Sequence, residues 1–309
     1  MGKEMWIPMK DGHEVFLCNW IEEFKPPRAI LQLAHGMAEH SARYQEFAME
    51  LAALGIGVYA NDHRGHGRTG EKSGTMGHLN NENGFERVVA DLKEINEFIH
   101  LNHPDIPVFL MGHSMGSFFV RRFIQKYPAA VKGVILSGTG GDPGFSGRVA
   151  KTVVASQLKI KGTQTPSPLL NQLFFGDFNK SVKSPETKFD WLTRDRDEVQ
   201  KYIDDPFCGF IPTVGFFADL LEGLNTIHQD NEIAKIEKDL PFYFISGDQD
   251  PVGKKTKAVS RIINQYKKHG VKRIEYKFYK DGRHEMLNEI NRQEVVNDIV
   301  NWLQKQLLY

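Results

Sequence analysis

The sequence predicts an α/β fold: a mostly parallel central sheet with helices on both faces and an inserted helical cap. Three observations carry this. Apolar runs of strand length alternate with segments of helical spacing from Ala29 to Ser137. The alternation lapses after Gly140 and resumes at Pro241. The stretches rich in Gly, His, Ser and Asp all follow apolar runs, at the carboxyl ends where open parallel sheets hold their sites.

In order along the chain, residues 5–9 and 14–20 read as two short strands joined by an Asp11-Gly12 hairpin turn. Ala29–Ala34 is a buried strand ending at His35-Gly36. From Ser41, Tyr44, Phe47, Ala48, Leu51 and Leu54 keep helical spacing up to Gly55. Ile56–Ala60 is the next strand, and Asn61–Gly70 reads as a loop. A helix is expected over 84–101, a strand over 107–111, a helix to Tyr127 and a strand over 133–137. Residues 1–141 thus form the first part of the core. Residues 142–230 lack a βαβ unit, carry six prolines and show helical stretches near 147–158, 168–175 and 213–227. That segment is the cap. Core is expected again over 231–309, with strands at 241–245 and 273–279, a helix at 254–268, and a last helix from Asn291 with Glu294 placed for a capping interaction. Spacing does not give the strand order.

The chain of 309 residues has 39 basic and 39 acidic side chains, so its formal charge of zero offers no nucleic-acid footprint. Met1–Lys10 lacks the apolar region of a signal peptide, and no run of about 18 apolar residues exists. Cys18 and Cys208, two scattered thiols, suit a reduced, cytoplasmic setting.

Gly112-His113-Ser114-Met115-Gly116 joins an apolar run to an amphipathic one. In a G-x-S-x-G turn the glycines remove side chains that would collide around a strained serine, and the following helix aims its N-terminal N–H groups at an oxyanion. A serine hydroxyl is a weak nucleophile, so Ser114 needs a base and the base an orienting carboxylate. Later strand ends offer His284 and either Asp248 or Asp250. Asp250, further out in its loop beside Pro251-Val252, is better placed to reach a histidine from the next strand, and Asp248 better suited to local backbone N–H groups. The backbone N–H groups of Met37 and Met115 are the expected oxyanion donors.

His35–Tyr44, Asp62–Gly67, Gly112–Gly116 and Gly247–Val252 together resemble the monoacylglycerol lipase and lysophospholipase branch of the α/β-hydrolases, and the resemblance spans essentially the whole chain. It implies a serine triad of Ser114, Asp250 and His284 and hydrolysis of lipid-like carboxylic esters. Ser117 departs from the pattern, which usually has a second glycine there. The expected substrate is a monoacylglycerol or lysophospholipid. A short-chain carboxylesterase, an amidase with the same triad, or a ligand-binding protein on a hydrolase fold are the alternatives.

Val252, Phe145, Phe174 and Phe217 are the expected pocket walls. Asp62, His63 and His66 lie in an Arg-Gly loop without helix spacing or a third ligand set, so no metal is expected, nor any cofactor. Glu39 and Arg43 suit either a polar head group or an i, i+4 ion pair. Residues 194–198 read as a solvated charged surface. Peripheral membrane contact through the cap, and a monomer or homodimer, are compatible with the composition.

Overall fold

The computed structural model describes residues 2–22 and 26–308, apart from the side chains of Phe145 and Ser146. Eight strands form one sheet: β1 (Lys3–Pro8), β2 (Glu14–Trp20), β3 (Ala29–Ala34), β4 (Ile56–Asn61), β5 (Val108–His113), β6 (Gly133–Ser137), β7 (Phe242–Gly247) and β8 (Ile274–Tyr279). Their order is β1-β2-β4-β3-β5-β6-β7-β8. β1 and β2 pair antiparallel, as do β2 and β4, and the remaining neighbours are parallel. The α/β-hydrolase fold expected from the sequence is the fold observed.

The central strands are buried along their whole length, which is why they read as unbroken apolar runs. Side chains alternate between the sheet's faces. Leu110, Leu136 and Phe244 enter the core shared with α3 (Gly84–Asn102), α4 (Met115–Lys126), α8 (Val214–Ile227) and α10 (Lys257–Lys268). Their neighbours Phe109, Met111, Ile135 and Ile245 enter the opposite core with α1 (Gln45–Ala53) and α11 (Arg292–Gln306).

Three local features differ from the reading of the sequence. The expected loop at 61–70 turns into helix α2 (Gly67–Ser73). Two of its seven residues are glycine, so propensity does not predict it; tertiary bonds hold it. Asp62 Oδ2 accepts from Arg68 N–H at 2.8 Å, and the Thr69 hydroxyl donates to Asp62 O at 2.8 Å. The helix expected from 254 begins only at Lys257, because Lys254, Lys255 and Thr256 all have positive φ. That left-handed turn, strained for side-chain-bearing residues, is closed by Lys255 N–H donating to Asp250 O at 2.9 Å. Finally, 194–198 is not simply solvated surface. The Asp195 carboxylate caps α7 (Arg196–Asp204) by accepting from the Asp197 and Glu198 N–H groups, and Arg194 donates to Glu289 at 2.8 Å.

The connection between the neighbouring strands β6 and β7 carries α5 (Gly144–Lys161), α6 (Pro168–Phe175), α7, α8 and α9 (Asp230–Ile233). Among the described residues no helix is long and apolar enough to cross a membrane. At the carboxyl edge, five adjacent strands (β3, β5, β6, β7, β8) present the loops that build the site.

Candidate active site

Ser114 is the single residue between β5 and α4, with φ +50° and ψ −119°, a conformation that side-chain-bearing residues rarely adopt. Its N–H donates to Ser137 O on β6 at 2.9 Å. The flanking glycines are sterically required, though not by collision with the serine itself. A Cβ on Gly112 would stand 2.6 Å from Gly116 O, and one on Gly116 would stand 2.1 Å from Ala34 O and 2.5 Å from His35 O. The first turn of α4 therefore lies directly on the end of β3. Ser117 does not disturb the turn. Its hydroxyl lies 2.5 Å from Ser114 O and 2.7 Å from Thr139 Oγ1. One proton serves the carbonyl, so the Thr139 hydroxyl donates in return.

Asp250 and His284 lie on the loops after β7 and β8. His284 Nδ1–H donates to Asp250 Oδ1 at 3.0 Å, with the two residues 2 % and 0 % exposed. That bond fixes the tautomer and leaves Nε2 to take a proton. Asp250 Oδ1 also accepts from Val252 N–H at 2.8 Å, which holds the carboxylate in place. Asp248 points elsewhere, accepting from Asp281 N–H at 2.9 Å. Burial opposes charge on His284, but the Asp250 carboxylate, aided by Glu285 and Glu39, outweighs it and raises the imidazole above its usual 6.5. His113 packs against the same ring at 4.7 Å between centroids, and Trp191 at 5.0 Å. Burial and the neighbouring His284 push His113 down to about 4, so it stays neutral. Ser114 and His284 line one cavity, with no hydrogen bond between them.

Among the described residues the N–H groups of Met37 and Met115 have no hydrogen-bond acceptor, the condition for an oxyanion site. The loop carrying Met37 is firmly held. His35 is driven well below its usual pKa by burial and is neutral; its Nδ1–H donates to Gly36 O at 2.7 Å while Nε2 accepts from His63 N–H at 3.0 Å. Tyr202 donates to Ala38 O at 2.9 Å. Glu39 Oε1 accepts from Gly36 N–H at 2.5 Å and from Tyr44 at 2.8 Å, and Oε2 accepts from Arg43 at 2.7 Å. Arg43 also makes a bidentate pair with Glu285, both bonds 2.7 Å. The i, i+4 pair anticipated at Glu39 and Arg43 therefore exists, extended to the residue after His284. Burial pushes both carboxyls up, but Arg43 outweighs it and holds Glu39 and Glu285 below their usual range.

The cavity measures about 710 Å³ and is walled by Phe118, Phe174, Leu220, Leu221, Leu224, Trp191 and Val252, with Met37, Ser114, Met115 and His284 at one side. Of the residues expected to form the pocket, Val252 and Phe174 line it. Phe217 does not. It is fully buried behind Phe174, ring centroids 5.0 Å apart, because α8 is packed on both sides and its inner side faces the sheet core. The Phe145 side chain lies outside the described residues. Sequence reasoning missed Trp191, Glu285 and the leucines of α8. Trp191 sits in a stretch with no periodicity, so nothing in the sequence distinguished it.

Asp62 holds the Ser41 and Arg68 N–H groups and has no part in the cavity. His63 and His66 are buried and pushed down in pKa, His66 to about 4. Among the described residues one trio, His40, Asp205 and Cys208, brings potential metal-ligand atoms within 4.8 Å. His40 Nε2–H is already given to Asp205 at 2.8 Å, and burial raises the Cys208 thiol well above its usual pKa. A neutral thiol beside a histidine and a carboxylate already hydrogen-bonded to each other is a poor ligand set.

The sequence model of the serine aminopeptidase S33 family matches residues 25–291. A monoacylglycerol lipase of Mycolicibacterium smegmatis is 29% identical over 286 residues, 91% of this chain and 90% of that protein. A monoglyceride lipase of Rattus norvegicus is 30% identical over 242 residues, 78% of this chain and 71% of the relative. Among solved structures, a highly thermostable carboxyl esterase from Bacillus coagulans in complex with glycerol superposes with a TM-score of 0.91, 27% identity and 99% coverage of both chains.

Proposed function

The chain belongs to the serine aminopeptidase S33 family, and from that premise we propose that it is a serine hydrolase of lipid-like carboxylic esters, monoacylglycerols foremost, working through an acyl-enzyme. The observation that carries this is His284, bonded to the buried Asp250, on the wall of an apolar cavity that also holds the strained Ser114. Ser114 Oγ attacks the ester carbonyl as His284 Nε2 takes its proton. Asp250 keeps the Nδ1–H and stabilises the imidazolium. The oxyanion accepts from the N–H groups of Met37 and Met115. Collapse expels the alcohol, which receives its proton from His284, and water repeats the sequence on the acyl-enzyme. The Ser114–His284 hydrogen bond forms with bound substrate, as it does in sites whose catalytic contacts tighten in the Michaelis complex.

The apolar walls support an acyl chain as the bound portion, with 142–230 acting as a cap. The names of the Mycolicibacterium smegmatis and Rattus norvegicus relatives favour monoacylglycerol over lysophospholipid. A short-chain carboxylesterase is the second reading, favoured by the likeness to the Bacillus coagulans esterase. Cytoplasmic residence is part of the proposal and rests on the free cysteines Cys18 and Cys208. So is peripheral contact with a bilayer, through the exposed Ile160, Leu169 and Leu173 on α5 and α6.

The test combines two measurements. A fluorophosphonate probe should label the parent protein and leave Ser114→Ala unlabelled. Rates on p-nitrophenyl esters of rising chain length should peak at medium or long chains. Failure of the parent to label removes the serine-hydrolase reading, and a peak at acetate hands the substrate to the second reading.

A further inference from the structure

One ring against the His284 imidazole comes from outside the sheet. Trp191 lies between α6 and α7, and its indole sits 5.0 Å from the imidazole, centroid to centroid, at 37° between planes. The backbone on both sides of Trp191 is fastened to the loop that bears His284. Glu285 N–H donates to Leu192 O at 2.7 Å. Arg283 donates to Asp190 O at 2.5 Å and Thr193 O at 2.8 Å, and the Thr193 hydroxyl donates to Asn288 O at 2.7 Å. Phe178 backs the indole edge-on at 4.9 Å, and the Trp191 backbone N–H donates to Asn179 Oδ1 at 2.9 Å. Such anchoring leaves the indole little freedom to leave the imidazole while this segment stays docked.

We propose that Trp191 is a positioning residue for His284, holding the imidazole in the orientation that its bond to Asp250 requires and favouring the imidazolium formed as Ser114 loses its proton. The proposal rests on the role given to His284 above. A cation within about 6 Å of an indole face is attracted by the ring's quadrupole, most strongly where water is excluded. His284 meets that condition.

The charged and titratable groups around His284 come from every side. Asp250 faces it from the β7 loop, Glu285 from its own loop and Glu39 from the loop after β3. His113 faces it from β5, and Lys188 and Lys254 stand on the cavity wall. The carboxylates set most of the basicity. Trp191 adds a contribution carried by the segment between β6 and β7, so the basicity of the site depends on that segment being in place.

The experiment compares the parent with Trp191→Phe and Trp191→Leu. In kcat/KM against pH on a p-nitrophenyl ester, the acid-limb midpoint should fall in the order Trp, Phe, Leu, by about half a unit or more for Leu. Loss of a cavity wall alone changes KM and leaves that midpoint in place. Fluorescence supplies a readout free of turnover. Subtracting the Trp191→Phe emission from that of the parent isolates Trp191, and its emission should be quenched as pH falls through the same midpoint, because an imidazolium in contact quenches indole. Identical midpoints in the three proteins, or a difference emission flat across the midpoint, overturn the proposal. A parent inactive on every ester would count against the functional reading, and the fluorescence titration would still decide whether Trp191 senses the charge on His284.

Discussion

Gly116→Ala tests whether the oxyanion site is set by contact between backbones. The added Cβ would stand 2.1 Å from Ala34 O and 2.5 Å from His35 O, both backbone atoms at the end of β3. Carbon–oxygen contacts settle no closer than about 3.3 Å, so the first turn of α4 must retreat by roughly 1 Å. The Ala34 carbonyl, the closer of the two, cannot swing aside, because β3 is paired on both edges with β4 and β5. The retreat carries Met115 N–H away from Met37 N–H. Overpacking of this kind lowers stability by about 1–3 kcal/mol. Misplacing an oxyanion donor costs about 3 kcal/mol in the transition state, or roughly 10²-fold in kcat. The acyl cavity stays intact, so KM should hold within a few-fold. Gly74→Ala is the control. Its φ is +67°, yet nothing lies within 4 Å of the new Cβ, so it should lose about 1 kcal/mol of stability and no kcat. Steady-state kinetics and urea unfolding of both variants give the answer. A Gly116→Ala enzyme with kcat within threefold of the parent would refute the reasoning.

Four further outcomes follow from the site and its surroundings. Arg43→Met leaves the buried carboxylates of Glu39 and Glu285 without their cation and should lower the unfolding free energy by about 3–5 kcal/mol, read from urea midpoints. kcat/KM should rise with pH through a midpoint above 6.5, because His284 must be neutral to act as base and its pKa is raised; Asp250→Asn should lower that midpoint and cut kcat by about 10⁴-fold. Burial raises Asp219 to about 6, so its carboxyl favours the fold when protonated, and that advantage is lost as pH rises through 6. Asp219→Asn should therefore gain urea resistance at pH 8 and none near pH 4, where the parent is protonated. Ile160→Asp with Leu169→Asp should reduce co-sedimentation with phospholipid vesicles while leaving hydrolysis of a short soluble ester within twofold, since neither residue lines the cavity.

The parts of the fold that were legible are those where one physical demand acts alone. A strand covered on both faces must be apolar throughout, so β3 to β7 stand out as runs. A serine on a turn pressed against a neighbouring strand demands glycine at both flanks, so Ser114 stands out too. Where two demands compete, the sequence is silent. Residues 67–73 have poor helix propensity and still form α2, because Asp62 in the preceding loop and Phe16 on β2 bond to Arg68 and Thr69. Apolar spacing showed that α8 is buried, but both its sides are, and only tertiary structure directs Leu220 and Leu224 to the cavity and Phe217 to the core. The placement of β4 outside β3 has no local signature. Trp191 owes its position to the bond between its neighbour Asp190 and Arg283, 93 residues apart, and Glu285 to its pair with Arg43, 242 residues away, distances that no spacing pattern spans.

Those long-range bonds also decide how the site divides its electrostatic work. Glu39, Glu285 and Asp250 stand against the single guanidinium of Arg43, so the protein surrounds His284 with an excess of negative charge. That excess favours the imidazolium and, by the same Coulomb law, disfavours an oxyanion formed nearby. The two demands are met by different kinds of group. Glu39 gives its oxygens to Gly36 N–H, Tyr44 and Arg43, and Glu285 gives its pair to Arg43 and Asn288, so both carboxylates are met by hydrogen-bond donors. The oxyanion then depends on donors that carry no net charge: Met37 N–H, Met115 N–H and the positive end of the α4 dipole. Neutral dipoles fall off faster with distance than charges, so they act on the oxyanion without cancelling the field that holds the proton on His284. A lysine or arginine placed in the oxyanion site would stabilise the intermediate and, a few ångströms away, strip that imidazole of the basicity it needs to form it.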